Sequence, residues 1–137
     1  MRPAWQDQVS EGNLSFVERS LYPWYDFKKG IIVYMYIVIF VTASNKREAQ
    51  KIAAGLIKQR LAACVNIMDK VDSVFFWEGK IQKAKESLLI IKSKKEKMSK
   101  VIKLVKSLHS YEVPEIIALP VIAGDKPYLR WIDAALR

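Results

Sequence analysis

A strand followed by an amphipathic helix occurs twice in this chain of 137 residues, and this repetition limits the fold more than any other feature of the sequence. The first strand is predicted from Tyr36 to Thr42, because β-branched and aromatic residues form an almost wholly apolar run there. Such a run is typical of a central strand that is covered on both faces or buried in an assembly. The following helix starts near Asn45, with Glu48 completing a capping-box pattern, and ends near Leu61. Its predicted apolar side contains Ala49, Ile52, Ala53, Leu56 and Ile57.

A long hairpin separates the first copy of the pattern from the second. The second strand is predicted from Cys64 to Trp77 and the third near Glu86 to Lys92. Ser93 and Glu96 then form another capping-box pattern, 48 residues after the first. The second helix ends at His109. Its predicted buried side contains Met98, Val101, Ile102, Val105 and Leu108.

The last predicted elements are a fourth strand and a terminal helix. The strand spans about Ile116 to Ala123, and Pro120 indicates a sheet edge or a bulge because proline cannot donate to the hydrogen-bond ladder. The helix follows Asp125 and has Pro127 near its first turn. The order βαββαβ with a C-terminal helix predicts an α+β, ferredoxin-like sandwich. The terminal helix is predicted to place Tyr128, Trp131, Ile132 and Ala135 on one face.

Residues 1–34 differ in character from the rest of the chain. They contain four basic and four acidic residues and no sustained hydrophobic period, so the whole net charge of +9 lies in residues 35–137. Met35 opens the first strand pattern. We therefore predict one domain over residues 35–137 and an N-terminal extension over residues 1–34. The extension is either a leader that is not native to the protein or a strand added to a sheet edge.

The composition excludes several classes of protein. A single cysteine rules out an intrachain disulfide framework and CxxC zinc or redox motifs, which indicates a reducing compartment. The longest apolar run, Ile31 to Val41, has 11 residues, fewer than the ~20 that a membrane helix needs. These features predict a cytoplasmic protein that does not bind a membrane.

The surplus of lysine raises the question of nucleic-acid binding. Lysines are dense between Lys92 and Lys106, and a basic ferredoxin-like sheet is typical of some RNA-recognition modules. The third predicted strand reads ESLLIIKS, however, and lacks the aromatic pattern of those modules. Because the lysines fall on the solvent side of a helix, we predict no nucleic-acid partner. An acylphosphatase-like phosphate site is also disfavoured, since the loop at 43–47 has no glycine.

Enzyme signatures are missing, and no enzymatic activity is predicted. The sequence contains no GxGxxG, GxxxxGK[ST], HExxH or GxSxG motif. Only Cys64 and His109 offer a thiolate with its base or a soft metal site that favours copper. Both residues also have a structural explanation, because cysteine is commonly buried and a histidine at a helix C-terminus suits the helix dipole.

Six strings in the chain resemble, in order and spacing, the CutA divalent-cation-tolerance family. They are VTASNKREAQKIA, QRLAACVNI, FFWEGKI, ESLLIIKS, LHSYEVPEIIALPV and YLRWI, and the similarity extends from Met35 to Leu136. The resemblance implies a ferredoxin-like subunit in a PII-like homotrimer, in which the long second and third strands pair between subunits. It also implies copper binding and metal tolerance without an established reaction.

The same resemblance implies candidate site residues. Cys64 and His109 match the copper-ligand candidates, with a weaker contribution from Glu112. Five more residues match positions that line a cleft between subunits, although each has an alternative role in packing or charge pairing. The five cleft residues are Trp77, Glu86, Tyr111, Glu115 and Trp131.

The family pattern has proline where this chain has Ser110, and serine is expected to hold His109 less firmly because it does not fix φ.

The sequence therefore predicts a non-enzymatic, CutA-like homotrimer that binds copper or another divalent cation and takes part in the response to metal ions. The alternative prediction is a PII-like signalling scaffold whose intersubunit clefts bind a small anionic ligand or a partner protein. The surplus of lysine favours an anion in that alternative.

Overall fold

The computed structural model describes residues 15, 19, 25–33 and 35–137. The helices among these residues are α1 (Lys46–Lys58), α2 (Met98–Leu108) and α3 (Lys126–Ala135), and a 3-10 turn at Lys95–Lys97 precedes α2. None of the helices described in the structure is long and apolar enough to cross a membrane. The strands are β1 (Tyr25–Asp26), β2 (Ile31–Ile32), β3 (Tyr36–Ala43), β4 (Cys64–Trp77), β5 (Lys80–Lys94) and β6 (Ile116–Pro120).

Strands β3 to β6 form one antiparallel sheet in the order β4-β5-β3-β6. The apolar strand β3 lies inside this sheet, where Tyr36 pairs with Lys94 of β5 and Val41 pairs with Ile116 of β6. Helix α1 connects β3 to β4 and helix α2 connects β5 to β6, which gives the order βαββαβ. Helix α3 follows the last strand. The predicted α+β, ferredoxin-like sandwich with a C-terminal helix is therefore confirmed.

The hydrophobic core lies between one face of the sheet and the pair α1 and α2. Side chains alternate along a strand, so every second residue of β3 and β5 points toward the helices. Helices α1 and α2 approach closely at Gly55, where an added Cβ would lie 3.3 Å from Leu108 Cδ1. The fully buried core side chains include Ile39, Val41, Ile52, Leu56, Leu89, Ile91, Val101 and Val105.

The opposite face of the sheet is apolar but only partly covered. Helix α3 covers one end of it, where Tyr36 Oη donates to Asp133 Oδ2 at 2.8 Å and Lys94 Nζ lies 2.9 Å from Asp133 Oδ1. Beyond that end, half-buried and exposed apolar side chains face outward. An apolar sheet face normally packs against another layer. We call this surface the open sheet face; it contains Val38, Phe40, Leu88, Ile90, Ile117 and Leu119.

Strands β4 and β5 extend past the sheet as a two-stranded ribbon. Strand β3 pairs with β5 only over 87–94, so the ribbon residues 71–77 and 80–86 pair with each other alone. A bulge between Met68 and Val71 marks the base of the ribbon. Near the tip, Phe76 pairs with Ile81, and each is 72% exposed. Among the described residues no further strand pairs with this ribbon, which thus presents bare edges and exposed apolar side chains.

The start of α2 differs from the prediction. Ser93 does not cap this helix, because it still belongs to β5 and its buried hydroxyl donates to the Leu61 carbonyl at 2.6 Å. Helix α2 begins at Met98 after the 3-10 turn and has no side-chain cap. Strand β5 is also longer than predicted, since it pairs with β4 as far as the hairpin turn.

Two further predictions need correction near the C-terminus. Strand β6 ends at Pro120 rather than Ala123, in agreement with proline's inability to extend the ladder. The buried side of α3 is formed by Leu129, Ile132 and Leu136. Tyr128 and Trp131, which were predicted to share the apolar side, are about half exposed.

One residue of α1 also needs correction. Ile57 was assigned to the buried side of this helix but is exposed.

Part of the N-terminal extension is described. Strands β1 and β2 form a separate two-stranded sheet, in which Tyr25 pairs with Ile32. Neither of these described strands joins an edge of the main sheet, so an added edge strand is not found among them. Apart from residues 15, 19 and 25–33, the prediction for residues 1–34 lies outside the described residues.

Candidate functional site

Three segments meet where β3 ends: the junction of β3 with α1, the first turn of α1, and the segment that follows α2. Asn45 is the N-cap of α1, and its Oδ1 accepts a hydrogen bond from the Glu48 amide at 2.8 Å. The Glu48 carboxylate turns back and accepts from the Ser44 amide at 3.1 Å. The predicted capping box is therefore half formed, because Glu48 binds the amide of Ser44 instead of that of Asn45.

The Glu48 carboxylate accepts hydrogen bonds from two serines that are far apart in the sequence. Ser44 donates through its amide and its hydroxyl. Ser110 donates through its amide to Oε1 at 2.5 Å and through its hydroxyl to Oε2 at 3.0 Å. Burial alone raises the pKa of the Glu48 carboxyl, but these four hydrogen bonds outweigh it and hold the pKa below its ordinary value. Glu48 is thus a charged anchor that ties the segment after α2 to the start of α1.

The imidazole of His109 is enclosed beside this anchor, and its side chain is 0% exposed. Nε2 lies 2.6 Å from the Thr42 carbonyl oxygen, which can only accept, so Nε2 carries the proton. Nδ1 accepts a hydrogen bond from the Tyr111 amide at 3.0 Å. These partners assign the neutral tautomer, and the 3.4 Å separation of Nδ1 from Glu48 Oε1 is a contact between two acceptors. Both ring nitrogens are engaged.

Ser110 contributes to the position of this segment. Serine was expected to loosen the placement of His109 because proline would fix the backbone, and this stays a prediction. Ser110 supplies two hydrogen bonds to a charged acceptor, which act against such loosening. A proline at this position has no amide proton and no hydroxyl to donate.

The next residue connects the anchor to a cleft. Tyr111 Oη donates to Glu86 Oε2 at 3.0 Å, at the base of the ribbon. Burial and the neighbouring Glu86 carboxylate raise the pKa of Tyr111 to about 12. Beside this pair, the ribbon and the segment after α2 enclose a cleft of about 930 Å³. Four of the five predicted cleft residues line it: Trp77, Glu86, Tyr111 and Glu115.

The fifth predicted cleft residue lies elsewhere in the chain. Trp131 is on α3, where its ring centroid is 5.5 Å from that of Tyr128. It is not among the residues that line the cleft within one chain. Its assignment to a cleft between subunits stays a prediction.

The predicted copper ligands do not meet within one chain. Cys64 pairs with Lys92, which pairs in turn with Val38, whereas His109 binds the carbonyl of Thr42. Val38 and Thr42 are separated by about 13 Å at ~3.3 Å per residue, and β5 lies between β4 and β3. Glu112 lines the cleft instead. Among the described residues, no three histidine, cysteine, aspartate or glutamate side chains are grouped to hold a metal ion.

Comparison with known proteins gives a family match over most of the chain. The family described as "CutA1 divalent ion tolerance protein" matches residues 37–135. This match includes the end of β3, the Glu48 anchor and the cleft. The chain belongs to the CutA1 family.

Curated relatives support this membership across distant organisms. Protein CutA 1, chloroplastic, from Oryza sativa subsp. japonica is 44% identical over 101 residues, which cover 74% of this chain and 57% of the relative. The divalent-cation tolerance protein CutA of Archaeoglobus fulgidus is 46% identical over 99 residues, which cover 72% of this chain and 96% of the relative. The matched part of this CutA1 chain thus spans little more than half of the rice protein and nearly all of the archaeal one.

Solved structures of CutA1 proteins have the same fold. The structure described as the periplasmic divalent cation tolerance protein CutA from Archaeoglobus fulgidus has a TM-score of 0.73 and 44% identity, covering 75% of this chain and all of that one. CutA1 from Oryza sativa has a TM-score of 0.73 and 43% identity, covering 75% of this chain and 94% of that one.

Sequence reasoning missed the residue at the centre of this CutA1 site. Glu48 was assigned only to a helix cap, and Ser44 had no role. The capping-box pattern did place the Glu48 side chain near the start of α1. Nothing in the pattern could show that Ser110, 62 residues later, donates to the same carboxylate.

Proposed function

We propose that this CutA1 protein is a homotrimer without enzymatic activity that binds copper or another divalent cation in the cytoplasm and contributes to metal tolerance. Membership of the divalent-cation tolerance family supports the metal. A free cysteine is typical of proteins in reducing compartments, which supports a location in the cytoplasm. A PII-like scaffold with an anionic ligand receives no comparable support.

The observation that carries the assembly is the open sheet face together with the ribbon. Among the described residues of a single chain, α3 covers only one end of this apolar sheet face, and no further strand pairs with the edges of the ribbon. Closed threefold symmetry would cover the face and pair the edges with those of neighbouring subunits. A monomer would leave both exposed to water.

The proposed copper ligands are Cys64, His109 and Glu112, contributed by more than one subunit. Thiolate sulfur and imidazole nitrogen favour copper over magnesium or calcium. Cys64 is half-buried near the edge of the sheet. His109 has to give up the Tyr111 amide at Nδ1 before that nitrogen can bind a metal. We therefore propose Cys64 as the main ligand.

A sedimentation experiment tests the assembly. Phe76→Glu places a charge on the exposed apolar surface of the ribbon, and we expect it to dissociate the trimer at micromolar concentration. The matched control is Ile57→Glu, which changes an exposed isoleucine on the outer side of α1. A parent protein that sediments as a monomer contradicts the proposal, as does an equal effect of both variants.

A copper titration against a competing chelator tests the ligands. We expect binding in a fixed ratio to subunits, with a large loss in Cys64→Ser and smaller losses in His109→Ala and Glu112→Gln. Glu96→Gln, outside the cleft, is the control, and all proteins are compared at the same oligomeric state. Identical affinities for the parent and all variants would remove these residues from the site.

A further inference from the structure

The cleft between the ribbon and the segment after α2 has the dimensions and lining of a small-molecule site. Its volume of about 930 Å³ lies within the range of roughly 300–1,000 Å³ that is typical of ligand pockets. Five of the twelve lining side chains are apolar or aromatic, and the other seven are polar or charged. Its walls come from β4, β5 and the segment that contains Tyr111, so three parts of the fold define its shape.

The charge of this cleft is opposite to that of the protein. The chain carries a net charge of +9, yet the cleft is lined by three carboxylates, Glu86, Glu112 and Glu115. Among the described residues that line the cleft, one side chain is cationic, Lys83, so the carboxylates outnumber the cations by three to one. The local charge therefore attracts a cation, which disagrees with the anionic ligand considered from the sequence.

Two aromatic side chains on one face of the ribbon add to this preference. Phe75 and Trp77 are two residues apart on β4, so they point to the same side, and both line the cleft. They are 42% and 58% exposed, which leaves ring surface accessible to a ligand. Aromatic faces attract organic cations, with tryptophan the strongest. Phe76, which we substitute to test the assembly, and its partner Ile81 point to the opposite side.

The arrangement suits an organic cation better than a metal ion. A metal ion needs several ligands that converge within about 2.0–2.6 Å of one point. No three carboxylates, histidines or cysteines are grouped in this way among the described residues. Glu86 is only 8% exposed and binds Tyr111, so it is held in place. Separated carboxylates with aromatic faces between them match a larger cation whose charge is spread over alkyl groups.

We propose that this cleft binds a small organic cation with an alkylammonium head group, a ligand distinct from the divalent cation for which Glu112 of the same cleft is one proposed ligand. The aromatic faces of Phe75 and Trp77 contact the alkyl groups, and Glu86 and Glu115 balance the charge. The proposal requires that the cleft stays open when the subunits assemble. It does not require Cys64 or His109.

Tetramethylammonium chloride is the probe that tests this proposal, with binding followed by saturation transfer from the intact, assembled protein to its methyl protons. We expect saturable binding in the millimolar range and about tenfold weaker binding in Trp77→Leu and in Glu115→Gln. The controls are Tyr128→Leu, an exposed aromatic outside the cleft, and Glu96→Gln, an exposed carboxylate outside it. Both should bind like the parent. Sodium chloride added at the same ionic strength should not displace tetramethylammonium, and tert-butanol, a neutral molecule of similar shape, should show no saturable transfer.

Each other outcome overturns the proposal. Absence of saturable binding means that the cleft is closed or does not take a cation. Equal binding of tert-butanol means that the site is merely apolar, and equal loss in the control variants places binding elsewhere. Copper titration of the same samples separates this proposal from the preceding one. If the parent protein binds tetramethylammonium but not copper, only the metal site is refuted. If it binds copper but not tetramethylammonium, only the organic-cation site is refuted.

Discussion

Replacing Ser110 with proline tests the role of the Glu48 anchor most directly. The substitution removes both hydrogen bonds that Ser110 donates to the Glu48 carboxylate. The backbone of the preceding His109, at φ −85° and ψ 140°, is already in the extended region that proline requires of its predecessor. Any loss of stability therefore reports the hydrogen bonds rather than a clash with the preceding residue.

The expected magnitude follows from the geometry. A hydrogen bond to a charged group contributes about 1.5–3 kcal/mol, and the side chain of Glu48 is only 10% exposed. Proline stabilises by about 0.4–1 kcal/mol through the unfolded chain. We expect Ser110→Pro, which loses two of these hydrogen bonds, to lower the free energy of unfolding by about 2–5 kcal/mol. Ser110→Ala keeps the amide and loses one bond, so it should lower the free energy of unfolding by about 1.5–3 kcal/mol.

Urea denaturation at one fixed protein concentration measures both changes, because assembly couples stability to concentration. Ser107→Ala on α2 is the control, since its hydroxyl bonds only the nearby Leu104 carbonyl. We predict that the free energy of unfolding decreases in the order parent, Ser110→Ala, Ser110→Pro. A proline variant as stable as the parent would refute the anchoring argument and restore the view that serine loosens this segment.

Three further predictions concern charge and packing. Because hydrogen bonds lower the pKa of Glu48 in the folded state, its contribution to stability is present above the ordinary carboxyl pKa and is lost as the pH falls through the folded value. Urea denaturation between about pH 5 and pH 3 should therefore show a steeper loss of stability for the parent than for Glu48→Gln. The pKa of Tyr111 is raised to about 12, so it stabilises the fold below about pH 10 and loses this effect above it; ultraviolet titration of Tyr111→Phe should lack one late tyrosinate step. Gly55→Val should lower the melting temperature, because its Cβ would meet Leu108 at 3.3 Å and the extra methyl groups have no space; an unchanged melting temperature would show that α1 and α2 can separate.

The main elements of the fold could be predicted from local patterns, and the failures have physical reasons. Strand β3 and the three helices were predicted because their hydrophobic periods are local properties of the sequence. The capping pattern at Ser93 failed because pairing with β3 extends β5 to Lys94, and a buried contact with Leu61 takes up the hydroxyl. The prediction of the buried side of α3 failed because it placed Trp131, a large apolar residue, in the core, whereas Trp131 lies on the exposed side of the helix.

The candidate site was only partly predictable. The resemblance supplied four residues that the structure brings together along one cleft of the chain, and their place between subunits stays a prediction. The separation of Cys64 from His109 could not be predicted, because it depends on the strand order rather than on spacing along the chain. The link from Glu48 to Ser110 is also a product of tertiary packing.

The strand pairing described above has a consequence for the order in which the chain folds. The hairpin of β4 and β5 joins at Trp77 and Lys80, which are only three residues apart in sequence, so little loop entropy opposes its formation. Strand β3 meets β5 through Tyr36 and Lys94, and β6 through Val41 and Ile116, which are far more distant. We expect the hairpin to form early and β6 to dock last. Until β6 arrives, the hydrogen-bonding edge of the most apolar strand is bare, so slow folding at high concentration exposes this edge to aggregation.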